Sequence, residues 1–279
     1  MLTVRRLVLC AAILLAAALP AATASAQSIV LQSANALRDS GFYTYILPIF
    51  EAESGITVST RFGSAQEAVN AARLGEADVL IVGAKALEDA FVADGYGVKR
   101  HNLMYTDMVL VGPPENPAQV QGPRDVIGAL EQIAETGAPF LTRGDGSGAA
   151  RRVNALWEMA EIDPTGTSWY RVTGKGAVIT LNETIKVRGY AIVDRASWLM
   201  YANKRDYVIL VERDQRMRRH FGITRVSEKR FPRLRPGPAQ SFVDWMLSPR
   251  GQKAITEFQV EGQNVFRPQA GSIPSRVAS

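Results

Sequence analysis

The sequence predicts an α/β protein built on parallel strands with crossover helices. Two observations predict it. Short apolar runs of strand length alternate with runs of helical periodicity. Loops rich in small and hydroxyl residues stand between a strand and the following helix, at Ser33 to Ser40, Phe62 to Ser64 and Arg143 to Gly148. The composition allows such a fold: 279 residues, 47% hydrophobic and 21% charged, suffice for one large domain or two lobes.

The chain opens on a targeting segment. Arg5 and Arg6 precede an apolar run from Leu7 to Ala18, about a dozen residues and too short to span a bilayer. Pro20 ends the run, and Ala24-Ser25-Ala26 supplies the small residues that signal peptidase needs. Cleavage is expected after Ala26, so that residues 1–26 are a signal peptide and Gln27 begins the mature chain. The single cysteine, Cys10, leaves with the signal, and a lone cysteine offers no disulfide framework. No later run has the length of a membrane span. The product is therefore expected in a bacterial periplasm, without stable membrane insertion.

Ser28 to Gln32 reads as the first strand. After Asp39-Ser40-Gly41, the residues Phe42, Tyr45, Ile46, Ile49 and Phe50 recur at helical spacing. Pro48 within that pattern predicts a kinked or shortened helix. Ile56 to Thr60 is the second strand, Ser64 to Leu74 a helix stopped at Gly75, and Ala77 to Val82 the third strand. A helix near Ala86 to Asp94 precedes the apolar strand Tyr105 to Val111, which Gly112-Pro113-Pro114 ends. Asp125 to Glu135 is helical and Pro139 to Thr142 is a strand. Val153, Leu156, Trp157 and Ala160 mark the helix after the Arg143 loop. Ala191 to Val193 and Val208 to Val211 read as strands on either side of the helix Ala196 to Tyr201. Arg213 to Pro238 is basic, carries prolines near its end, and is expected to be exposed. Ala239 to Phe258 is helical, broken at Ser248-Pro249-Arg250-Gly251.

The formal charge of +5 is small for this length, which speaks against nucleic acid as a partner. Enzyme motifs fail on inspection. A nucleophile elbow needs Gly two residues each side of Ser, and Ser147 has Asp145 and Ala149 there. The Gly174-Lys175 pair is followed by Gly176 where a phosphate loop needs Ser or Thr. His101 and His220 lack a Cys or His neighbour for zinc, and both read as surface residues, His101 in a polar turn. What remains is a set of loops suited to an anion. In an open parallel sheet, ligands bind at the carboxyl ends of strands, where helix N-termini present free N–H groups and a positive dipole end. The fourth such loop is Thr173-Gly174-Lys175-Gly176.

With these loops in order, the chain resembles the tungstate-specific substrate-binding proteins of ABC transporters. The resemblance runs over nearly all of the mature sequence. It is carried by Asp39-Ser40-Gly41 with Leu47-Pro48-Ile49-Phe50-Glu51, by Gly75 to Leu80, and by Phe91 to Val98. Further on it rests on Met104 to Asp107, Val111-Gly112-Pro113, Arg143 to Gly148, Trp169-Tyr170, Thr173 to Gly176, Thr180-Leu181 and Asp194-Arg195. Phe242 to Trp245, Ser248-Pro249 and Gly251-Gln252 close the match.

The resemblance implies an α/β, two-lobed, type II periplasmic-binding-protein fold with a central cleft. The chain is expected to cross twice, giving lobe 1 residues 27–107 and 220–279 and lobe 2 residues 108–219. It further implies an extracytoplasmic protein, not an enzyme, that captures a small oxyanion, tungstate or molybdate, for an ABC transporter permease with its ATPase. A monomer without cofactor or metal is expected. The ligand-binding set is Ser33, Asn35, Ser64, Arg143, Gly146, Ser147, Thr173, Lys175 and Gly176. The sequence departs from the family pattern in three places. The hydroxyl-rich first loop is reduced to Ser33-Ala34-Asn35-Ala36-Leu37-Arg38. Gly83 replaces a His, and Lys175 replaces a Gln and is expected to offset the lost donors with its charge. Two alternatives stay open: the same fold holding another anion or a small organic acid, and a hydrolase using Ser147.

Overall fold

The computed structural model describes residues 27–271, so the expected signal peptide lies outside the described residues. Strand β1 (Gln27–Ala34) lies between β2 (Ile56–Gly63) and β3 (Val79–Val82) and runs parallel to both. Parallel neighbours require crossovers. The first is α1 (Asn35–Asp39) with α2 (Phe42–Ser54), and the second is α3 (Ala65–Arg73). The stretch Ser33 to Ser40 is thus not a loop: Ser33 and Ala34 remain in β1, and Asn35 opens α1. Pro48 does not shorten α2, which is continuous through it. One hydrogen bond is lost there, but Phe42, Ile46, Leu47 and Phe50 bury on both sides of the proline and hold the helix. Helix α4 (Lys85–Ala93) follows β3.

Two long strands tie the molecule together. β4 (Gly97–Gly112) begins well before the expected Tyr105, and His101 sits in this strand, not in a turn. Its polar stretch Lys99 to Asn102 hid it from an apolar pattern. Between them come α5 (Val126–Thr136), β5 (Phe140–Thr142), α6 (Gly148–Met159), β6 (Tyr170–Val172) and α7 (Ala177–Lys186). β7 (Ala191–Asp194), α8 (Arg195–Met200) and β8 (Val208–Val211) complete this stretch. The second long strand, β9 (Arg218–Val226), corrects the expectation that Arg213 to Pro238 is exposed. It pairs antiparallel with β3 on one side and β4 on the other, and Arg219, Phe221, Ile223 and Val226 are buried. The cations mask a strand whose burial comes from its two neighbours.

The register of β4 changes partner along its length. Gly97 to Asp107 face β9, Met108 to Val111 face β7, and Leu110 to Gly112 face β8. The apolar packing changes at the same place. One core contains Ile29, Leu31, Phe50, Ile223 and Phe242. Another is drawn wholly from residues between Met108 and Met217, with Leu130, Phe140, Leu156 and Trp157 at its centre. Helices α9 (Pro236–Leu247) and α10 (Pro249–Glu257) return to the first core, where the rings of Phe242 and Phe50 meet edge to face at 4.9 Å. Ala196 and Leu199 of α8 also pack into that core, joining the two parts of the fold.

Candidate functional site

A cavity of about 440 Å³ is lined by residues from both parts. Three helix N-termini reach it: Ser64 and Ala65 of α3, Ser147 to Ala149 of α6, and Gly176 to Ile179 of α7. The first amides of each helix have no partner within that helix. Ser64 Oγ accepts the amide of Glu67 at 3.2 Å, and Glu67 returns a carboxylate to the Ser64 amide at 2.7 Å. Ser147 Oγ accepts the amide of Ala150 at 3.2 Å. A hydroxyl that accepts from its own helix keeps its proton for another acceptor. Each hydroxyl proton has a carboxylate beside it, Glu67 at Ser64 and Asp145 at Ser147, and the dipoles of the helices favour a negative ligand.

Two arginines line the cavity, each held by an aspartate. Arg143 donates Nε and Nη2 to Asp145 Oδ2 at 3.0 and 2.7 Å. Burial pushes the Asp145 carboxyl up, but bonds from Ser147 and Arg143 outweigh it and hold the group below its ordinary range. Arg219 pairs with Asp194, and both residues are 6% exposed. Nε of Arg219 is buried without a partner. Gly148 allows this guanidinium to lie close: a Cβ there would stand 2.7 Å from Arg219 Nη2 and 3.2 Å from the Gly83 carbonyl oxygen.

Asn35, Ser64, Arg143, Ser147 and Gly176 of the expected set line this cavity; Ser33, Gly146, Thr173 and Lys175 do not. Ser33 is fully buried and its hydroxyl is bonded to Tyr43 Oη at 2.6 Å and to the Ile81 carbonyl at 2.8 Å, so it supports the fold. Thr173 Oγ1 shares a bond with Thr180 Oγ1 at 2.8 Å and reaches the Thr142 carbonyl at 3.2 Å, which shapes the loop before α7. Gly146 is exposed at a positive φ of 67°. Lys175 is exposed, so its charge is placed in solvent and not in the cavity. Sequence reasoning missed Arg219 and Asp194. Asp194 was visible only as part of the Asp194-Arg195 match, and nothing in the arginine-rich run separates Arg219 from Arg216 or Arg218.

The family model of the PBP superfamily domain matches residues 20–250. The tungstate-binding protein TupA of Peptoclostridium acidaminophilum is 34% identical over 247 residues, 87% of this chain and 86% of that protein. Among solved structures, the tungstate-binding protein TupA of Desulfovibrio alaskensis G20 superposes with a TM-score of 0.83 at 32% identity, covering 88% of this chain and 100% of that one. The tungstate ABC transporter structure from Geobacter sulfurreducens superposes with a TM-score of 0.74 at 32% identity, over 83% of this chain and 98% of that one. The convergent helix N-termini, the fold and these relatives agree: the chain belongs to the PBP superfamily, in the family of tungstate-binding proteins.

Proposed function

We propose that this protein captures a small oxyanion, tungstate first among them, and presents it to an ABC transporter. The observation that carries the reading is the meeting of three helix N-termini with Ser64, Ser147 and Arg143 in one cavity. The family's tungstate-binding members support the choice of ligand. Asn35 and the first amides of α3, α6 and α7 supply neutral donors, and Arg143 supplies the charge-assisted fork. Ser33, Thr173 and Lys175 support the surrounding structure or the surface.

The lobes divide near Asp107 and near Arg219, and ligand capture closes one on the other. The change of partner along β4 supports this division. The binder reading is favoured over a hydrolase because Ser147 Oγ is engaged as a helix cap and the cavity lining holds no histidine or lysine to serve as base. The mature chain works as a monomer in the periplasm and meets the permease and its ATPase there. The leader grammar of Arg5 to Ala26 supports export, and no helix among the described residues is long and apolar enough to cross a membrane. N-terminal sequencing of secreted protein should begin at or near Gln27.

A thermal-shift screen of oxyanions and small carboxylates tests the ligand. At about 100 times its dissociation constant, tungstate should add ~2.7 kcal/mol of stability. A shift given by a carboxylate and not by tungstate would assign the cavity to an organic acid.

A further inference from the structure

A second cavity, of about 720 Å³, adjoins the first and shares Gly83, Gly148 and Arg219 with it. Its lining carries Lys85, Arg100, Arg151, Arg152, Arg218 and Arg219 and no carboxylate. Three of these cations are already answered from outside the cavity: Arg100 by Glu88, Lys85 by Asp89 and Arg219 by Asp194. Arg151, Arg152 and Arg218 form no ion pair among the described residues. Arg151 donates to the Gly146 carbonyl at 2.5 Å, and Arg218 lies over the Tyr105 ring at 4.8 Å.

The arginines are also under-satisfied. Arg100 Nη2, Arg152 Nε and Arg219 Nε are buried without an acceptor. The Arg100 and Arg219 side chains are 9% and 5% exposed. Buried guanidinium N–H groups are costly to leave unpaired; these three atoms are shut off from solvent, while the side chains that carry them line the cavity. The N-terminus of α4 faces the same space. Ala84 to Leu87 line it, and ahead of this nine-residue helix the Ala84 amide already donates to Glu88 Oε1 at 2.8 Å, which leaves the next amides of the first turn toward the cavity. Burial and the charge of Arg219 both push Arg151 down; Arg152 is also lowered, by burial first, with Asp214 opposing. An anion between these groups would relieve that repulsion.

We infer that this cavity is a second anion site, which takes a small polyanion with at least two phosphoryl or carboxylate groups. The volume falls in the range of sites for organic ligands, about 300–1,000 Å³. A single tetrahedral oxyanion would leave most of the guanidinium groups unanswered. Guanidinium forks fit phosphoryl and carboxylate oxygens alike, so the two chemistries are separated by the probes.

Calorimetry on the mature protein, with pyrophosphate and citrate as probes, decides the matter. At least one should bind with 1:1 stoichiometry, both to the free protein and to protein saturated with tungstate. Arg152→Ala and Arg218→Gln should each weaken that binding by about tenfold or more and steepen nothing else: tungstate affinity stays within about twofold, which also reports that the variants are folded. Arg143→Ala should leave the polyanion bound. Pyrophosphate alone, or citrate alone, names the phosphoryl or the carboxylate class. Failure of both probes, displacement of the probe by tungstate, or loss on Arg143→Ala with none on Arg152→Ala overturns the second site. If tungstate itself does not bind, the probes and the Arg152 and Arg218 variants still decide this inference independently of the first cavity.

Discussion

Arg143 donates both Nε and Nη2 to a single oxygen of Asp145, Oδ2, while Oδ1 accepts the Ser147 amide at 3.1 Å. One carboxylate thus occupies a guanidinium fork and one amide at the mouth of α6. These are donors that the proposed oxyanion would use, so on that reading Asp145 competes with the ligand.

Asp145→Asn tests that competition. The neutral amide should release Arg143 and raise oxyanion affinity by about tenfold, the scale of one charge-assisted hydrogen bond. Isothermal calorimetry on the variant reads it; an equal or lower affinity would show that the pair positions Arg143 instead.

The same pair has a pH signature. The Asp145 carboxyl titrates below its ordinary range in the folded protein. A depressed folded value means stability that is present above the unfolded value and is lost as pH falls through the folded one. Wild type without ligand should therefore exceed Asp145→Asn in stability at neutral pH, by no more than ~1 kcal/mol because the pair is partly exposed. The difference should vanish in strong acid. Parallel denaturant titrations at the two pH values would show it.

Arg219 and Asp194 form a different kind of pair, buried where β4 passes from β9 to β7. Removing one member strands the other charge. Asp194→Ala should destabilise the fold by ~3–5 kcal/mol, whereas replacing both by Met and Leu should recover most of that loss. Thermal unfolding of the single and double variants separates the two outcomes.

Gly148 is required by close approach and not by its backbone angle. Alanine there would crowd Arg219 Nη2 and the Gly83 carbonyl. Gly148→Ala should lower stability by ~1–3 kcal/mol despite alanine's better helix propensity, and should weaken oxyanion binding. A more stable variant with full affinity would refute the contact.

Lys175→Gln should leave both the affinity for oxyanions and its salt dependence unchanged, because the side chain stands in solvent. Titration at two ionic strengths checks this.

What the sequence could express depended on whether a local pattern determined the outcome. Ser64 and Ser147 were legible because a hydroxyl ahead of a helical run is a cap wherever it falls, and caps point at the ends of strands. The strands β1 to β3 were legible from their apolar runs. β9 was not, since Arg218, Arg219 and His220 read together as a surface run; His220 is indeed exposed, but Arg219 is buried against Asp194 and the residues after it pair with both β3 and β4. Ser33 was misplaced for a related reason. Its hydroxyl is taken by Tyr43, on the helix that follows, and that contact is set by how α2 packs on β1.

The most direct test is calorimetric titration of tungstate into the mature protein and into Arg143→Ala. The wild type should bind one tungstate, and the variant should lose ~1.5–3 kcal/mol of binding free energy, about 10- to 150-fold in affinity, with an unchanged circular dichroism spectrum. No heat of binding from wild type, or undiminished affinity in a folded variant, would contradict the account.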